Sequence, residues 1–267
     1  MLNRIQQRII SALFGFVLGF AAGLVGVGGG EFRTPVLIYI LRLPIKTAIA
    51  ANLFIGLGTV IFSSLIRLTK GMFTRTGLFI AIWMSIFSIL GGYIGAIITG
   101  KLRINRLKTI LAIFLVVIGV KLLYGAFSYH TVATHSAFMP IWQQVVCVVL
   151  FGFVIGVISG MLGVAGGEFR IPVLMYIFGF DVKIAGTVSS LVSIPTVFTG
   201  FVKHRTMGNT SGMDKIVVLI MMVCSIIGSF FGVKTAAVVD KHIIEGVLGG
   251  ILILATVRMF TRLPEQE

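Results

Sequence analysis

Glu31 and Arg33 lie two residues apart in the stretch GVGGGEFRTPVL (26–37), and Glu168 and Arg170 repeat the arrangement in GVAGGEFRIPVL (163–174). A guanidinium offers a rigid fork of N–H donors that fits planar and tetrahedral oxyanions. A carboxylate beside it can neutralise it, tune it or carry a proton. Both pairs are flanked by long apolar sequence. There, one charge near a bilayer centre costs ~2.5–3.5 kcal/mol, and four unpaired charges would cost roughly 10–14 kcal/mol. That sum is comparable to the whole stability of a typical domain. The four groups must therefore be paired, face a watered cavity or sit near an interface. Two readings follow. Arg33 and Arg170 line an anion pathway, with Glu31 and Glu168 tuning them or carrying a coupling proton. Alternatively, each Glu–Arg set is an ion pair that holds a hairpin in place.

The residues around the charges predict how they are positioned. Gly26, Gly28, Gly29 and Gly30, like Gly163, Gly166 and Gly167, permit a tight break in a helix. Pro35 and Pro172 lack a backbone donor and suit the first turn of a new helix. A half-helix beginning near Glu31–Thr34 points free N–H groups and a positive dipole end into the protein, which favours anions. Gly29, Gly30, Gly166 and Gly167 thereby join the arginines as candidate anion contacts. Asn52 and Ser189 occupy equivalent places in the next segment, followed by Ser190 and Ser193. They suit a substrate hydrogen bond or a bridge between helices. Lys46 and Lys183 read as interfacial anchors that snorkel, Asp181 as a loop residue, and Pro195 as a kink.

Other chemistries find little support. His130, His135, His204 and His242 are expected in loops and show no metal-ligand spacing. Cys147 and Cys224 lie in apolar runs without a CxxC and read as small core residues. No metal and no cofactor is expected. The glycine cluster lacks the lysine-plus-hydroxyl signature of a phosphate loop, and neither GxSxG nor HExxH occurs, so an enzyme is not expected.

Composition places these residues in a membrane. Hydrophobic residues make up 57% of the 267 residues and charged residues only 11%, against about a quarter charged in soluble domains. Apolar runs such as FIAIWMSIFSILGGYIGAIITG are each long enough to cross ~30 Å of hydrocarbon. The net charge of +14 gathers in short loops beside these runs, as expected of a cytoplasmic face. No basic tract interleaved with aromatics suggests nucleic acid. Arg4 and Arg8 before an apolar run could pass for a secretory signal. The matching internal segment VVLFGFVIGVISGMLGVAGG argues that the first one is retained.

That match extends along the chain. Displaced by 137 residues, LFGFVLGFAAG from Leu13 aligns with LFGFVIGVISG from Leu150. Thr59 meets Thr196, and Ser88, Gly91 and Gly95 meet Ser225, Gly228 and Gly232. The chain reads as a first repeat (1–127), a linker (128–140) and a second repeat (141–267). Each repeat has one interrupted segment (Ile9 to Leu41; Val145 to Phe178) and three clean ones. The clean segments are Lys46–Ile66, Gly77–Thr99 and Leu107–Phe127, then Lys183–Phe201, Ile216–Val238 and Ile243–Met259. If the interrupted segment crossed, the two faces would carry similar Lys/Arg counts. If it re-enters, Arg4, Arg8, Arg42, Lys46, Lys101, Arg103, Arg106, Lys108, Lys203, Arg205, Lys215, Arg258 and Arg262 share one face, and the linker falls opposite. The stronger bias favours re-entry. Three crossings per repeat then invert one copy relative to the other. The expected fold is an all-α polytopic membrane protein. It has two inverted repeats, each a broken, re-entrant helical hairpin followed by three transmembrane helices.

On these residues the chain resembles the TauE/SafE, or sulfite exporter, family of membrane permeases. The G-x-G-G-G motif followed by proline is matched by Gly26, Gly28, Gly29, Gly30 and Pro35. In the second copy it is Gly163, Ala165, Gly166, Gly167 and Pro172. A second family feature, an alanine followed by a Thr-Ser-like pair after the next loop, corresponds here to Ala48 with Ala51–Asn52 and to Ala185 with Val188–Ser189, without the threonine in either copy. The resemblance implies transport of a sulfur-containing oxyanion or organosulfonate, such as sulfite, thiosulfate or sulfoacetate. The expected protein is a multi-pass secondary transporter of the cytoplasmic (inner) membrane, with the anion between the two broken helices. Its partners are a small anion, the lipid bilayer and a proton or sodium as coupling ion, with a homodimer compatible and no nucleic acid. A passive anion channel and a non-transporting assembly partner remain alternatives.

Overall fold

The computed structural model describes residues 3–98, 105–128 and 140–260. Lys101, Arg103, His130, His135, Arg262 and nearly all of the linker at 128–140 lie outside them. The described residues are helical: α1 (Arg4–Val25), α2 (Gly30–Pro35) running into a π-helical turn (Val36–Ile40), α3 (Ile45–Thr69), α4 (Arg75–Ile98), α5 (Asn105–Ser128), α6 (Ile141–Leu162), α7 (Gly167–Tyr176), α8 (Val182–Thr206), α9 (Lys215–Val238) and α10 (Lys241–Phe260). Local chemistry starts several of them. Asn3 and Gln6 form a capping box before α1, and Asp181 and Asp214 cap α8 and α9 through their side chains. Asp181 thus has the local structural role expected of it.

The helices are apolar outside and partly polar inside. On α4 the residues Phe79, Ile82, Ile86 and Leu90 form an exposed stripe, as do Ile216, Leu219, Val223 and Ile227 on α9. Thr59, Ser63, Ser88, Thr196, Ser225 and Ser229 are buried. Lipid replaces water as the outer solvent, so apolar side chains have no reason to leave the surface. The tightest packing uses small residues. A methyl on Gly15, Gly19 or Gly23 of α1 would meet Met221, Ser225 or Ser229 of α9, and one on Gly152, Gly156 or Gly160 of α6 would meet Met84, Ser88 or Gly92 of α4. The four-residue glycine spacing lets the backbones approach.

These contacts fix direction. Positions rise together in α1 with α9 and in α6 with α4, so both pairs are parallel. Gly77 against Ile184 and Val188, with Ser88 bonded to Thr196, makes α4 parallel to α8. Helices α6 and α8 therefore run the same way, and α7 between them must return. In the first copy the end of α1 meets the end of α3, through Arg67 bonded to Gly23 and Leu24. Each broken pair, α1–α2 and α6–α7, thus makes no net crossing, although α1 and α6 are each long and apolar enough to span. The equivalent helices α3 and α8 run antiparallel, with Phe54 on Phe201 and Arg67 beside Lys183. So do α5 and α10, with Gly119 on Gly249 and Ala126 on Gly246. Equivalent helices that meet antiparallel are related by a two-fold axis across the helix direction, which is the inverted repeat expected from loop charge.

Candidate functional site

The glycine loops bring the second hairpin arms to the pseudo-axis. Gly29 (φ 69°) and Gly166 (φ 75°) take the left-handed conformation and cap the new helices. Gly30 packs on Val164 of the opposite loop, and Gly167 on Val27. The prolines were expected to open these helices, but they do not. Helices α2 and α7 start at Gly30 and Gly167, so Pro35 and Pro172 lie a turn and a half inside. The chain reversal at the left-handed glycine comes first, and helix begins there. Pro35 cannot donate back along α2, and the backbone after it widens into the π turn, closed by Leu41 N–H on the Val36 carbonyl at 3.0 Å.

Arg33 and Arg170 are fully buried, each folded back under its own glycine loop. Arg33 donates through Nη1 to Asn52 Oδ1 (3.2 Å) and through Nη2 to the Ser225 hydroxyl (3.1 Å) and the Gly28 carbonyl (3.4 Å). Arg170 donates through Nη1 to the Ser193 hydroxyl (2.9 Å), the Ser189 carbonyl (3.0 Å) and the Ala165 carbonyl (3.5 Å), and through Nη2 to Ser88 (3.4 Å). Neither Nε has a partner. The serines are exchanged between repeats, since Ser225 of α9 serves Arg33 and Ser88 of α4 serves Arg170. Behind them Thr59 bonds Ser225 at 2.9 Å and Thr196 bonds Ser88 at 2.8 Å.

The glutamates do not pair with the arginines. No contact ion pair joins Glu31 or Glu168 to either guanidinium. The ion-pair reading fails because i,i+2 side chains on a helix point to different faces. The guanidiniums turn toward the loop carbonyls and serines, and the carboxyls of Glu31 and Glu168, from opposite repeats, are neighbours. They are 4% and 1% exposed. Both oxygens of Glu31 and Oε2 of Glu168 lack a well-formed hydrogen bond.

Asn52 bridges elements. Its amide donates to Gly163 (2.7 Å), Thr34 (3.0 Å) and Gly30 (3.1 Å) while its oxygen holds Arg33. Ser189 is different: its carbonyl serves Arg170, but its hydroxyl is buried without a partner. Beside Arg33 lies a small cavity lined by Gly28, Gly30, Asn52, Gly56, Gly163 and Ala165. It has room for about one water. An anion of several heavy atoms does not fit there.

Sequence reasoning missed some of these groups. Ser88, Ser225, Thr59 and Thr196 were visible as polar residues matched across the copies, though nothing local tied them to the arginines. Arg67, fully buried, caps the end of α1 by donating to Gly23 (2.8 Å), Leu24 (3.1 Å) and, on α8, Lys183 (3.2 Å). His204 is the equivalent residue. It was expected in a loop but is buried in α8, facing the Gly160 carbonyl, with Nδ1 2.9 Å from Asn209. His242 lies in the first turn of α10 against Glu245 (4.0 Å). Lys46 is exposed, and Lys183 reaches the Ala237 carbonyl (3.4 Å). Cys147 and Cys224 are free thiols, part-buried.

The chain is similar to proteins named as membrane transporters. The chain is 22% identical over 252 residues to "Probable membrane transporter protein YunE" of Bacillus subtilis, covering 87% of this chain and 88% of the relative. A probable membrane transporter protein of Xylella fastidiosa is 24% identical, with 97% of each covered. One of Methanocaldococcus jannaschii is 27% identical, over 91% of this chain and 94% of that protein. No solved structure matches. The family model described as "Sulfite exporter TauE/SafE" matches residues 2–122 and 128–267, and with nearly the whole length so covered, the chain belongs to that family of membrane proteins.

Proposed function

We propose that the protein is a secondary transporter of a small anion, a sulfur-containing oxyanion or organosulfonate, held between the two broken helices and passed by alternating access. One observation carries this reading. Arg33 and Arg170 are fully buried near the middle of the helices around them, and neither has a contact carboxylate. Buried charge left uncompensated is costly, and an entering oxyanion supplies the missing charge with acceptors for the forked donors. Inverted repeats provide the motion, since one hairpin unit rocking against the other would open the same site to either face in turn. The family name supplies the sulfur oxyanion, and the named relatives are described as membrane transporters. The face where α1 starts and α10 ends also carries Arg42, Lys46, Lys203, Arg205 and Lys215. The positive-inside rule makes it cytoplasmic, which suits an inner-membrane location.

Flux into proteoliposomes tests the reading with sulfite, thiosulfate and sulfoacetate. Accumulation of one of them against its gradient is expected. Flux that only dissipates gradients would make the protein a channel. No flux of any of them from folded protein would favour the assembly role.

A further inference from the structure

We propose that Glu31 and Glu168 form a shared carboxyl pair that holds a single proton, and that this proton is the coupling ion of the transport cycle. The coupling half of the proposal rests on the transport reading above, whereas the shared proton does not. The two side chains come from opposite repeats, on the second residues of α2 and α7, directly after Gly30 and Gly167, which pack on Val164 and Val27 of the opposite loops, and the two carboxyls are neighbours. Both are more than nine-tenths buried, and three of their four oxygens lack a well-formed hydrogen bond. The charged groups nearest the pair are Arg33 and Arg170, whose Nη groups donate to Asn52, the glycine loops and the serines and not to either carboxyl. From α3 and α8 the neighbours of these arms are the neutral Asn52, Ser189 and Ser193.

Two ionised carboxylates side by side in a buried, low-dielectric site repel each other strongly. One proton between them turns that repulsion into a charge-assisted hydrogen bond. This buried arrangement therefore requires a proton. Because each carboxyl belongs to a different repeat, the motion that opens the site pulls the pair apart and wets it. A separated, hydrated carboxylic acid passes its proton to water, giving carboxylate and hydronium on whichever face is open.

Two measurements test this. In infrared spectra of the purified protein at about pH 8, where an ordinary carboxyl is ionised, wild type is expected to show a deuterium-sensitive carboxylic acid C=O band. The E31Q/E168Q variant should lack it. Absence of the band from wild type overturns the shared proton whether or not the variant folds, and so does its persistence in the folded variant. In proteoliposomes carrying an internal pH dye, thiosulfate is the probe because it stays fully ionised near neutral pH. An imposed pH gradient should drive its accumulation, with proton movement in fixed ratio, and E31Q should reduce that accumulation to the level reached without a gradient. Accumulation driven by sodium and indifferent to pH overturns the coupling. Flux of no sulfur anion, with the infrared band present, overturns the transport reading and the coupling together and leaves the shared proton standing.

Discussion

The half-sites around Arg33 and Arg170 descend from one unit and differ at several positions, with Thr34 standing where the second copy has Ile171. Where the second copy has Ala165, Ser189 and Ser193, the first has Gly28, Asn52 and Gly56. The Ser193 hydroxyl fills its half-site and bonds Arg170 at 2.9 Å. Gly56 supplies nothing, and the small cavity lies there, against Arg33. The second half-site therefore has a hydroxyl bonded to its guanidinium where the first keeps a vacancy. What stays equal is the Arg–Ser–Thr relay across repeats. Duplication has preserved the relay that holds each buried charge and let the space next to one of them diverge.

Substitutions can break that comparison or sharpen it, beginning with the largest effects. Gly19→Leu and Gly156→Leu sit at equivalent crossings, where added carbon meets the Ser225 or Ser88 backbone. Both should abolish folded, monodisperse protein in size-exclusion chromatography, because the packing is symmetric. If only one does, the two interfaces are not equivalent. Arg33→Gln and Arg170→Gln should each leave the protein folded and remove its thermal stabilisation by sulfite or thiosulfate. Arg170→Gln should also lose more stability, ~2–3 kcal/mol, because its acceptors have no vacancy into which to relax. Unchanged anion binding in either folded variant would remove that arginine from the site.

Smaller effects separate the halves more finely. Asn52→Ala strands the Gly163 carbonyl and one Arg33 donor and should cost about 3 kcal/mol in thermal unfolding. Gly56→Ser places in the first half the hydroxyl that the second half has. It should weaken anion affinity about tenfold, equivalent to ~1.4 kcal/mol, with the fold intact. Unaltered affinity would mean that the vacancy does not receive the anion. Ser189→Ala removes a buried hydroxyl with no partner and should be neutral or stabilising by up to ~1 kcal/mol, although Ser189 is equivalent to Asn52.

Much of this was legible in the residues. The membrane class, the repeat, the break at the glycines and the re-entrant parity follow from apolar run length, self-similarity and loop charge. The partners of the charges were not. Glu31 and Arg33 invite pairing because they are close in sequence, but the helix turns them to different sides. Pro35 looked like a helix start because it tolerates that position, and the left-handed glycine before it began the helix first. Arg67 and His204 lay outside any motif, and only the end of the hairpin arm packed against them gives them a role.

Run length, hydropathy and repetition are properties of neighbouring residues or of fixed displacements, so this chain's sequence alone determined that it is a duplicated, membrane-embedded bundle with buried charge. Tertiary structure decided which groups meet that charge: Ser225 reaches Arg33 across 192 positions and Ser88 reaches Arg170 across 82. It also made neighbours of two carboxyls that lie 137 positions apart in sequence. Contacts of that range depend on helix direction and on glycine-limited approach between repeats, and no local pattern encodes either one.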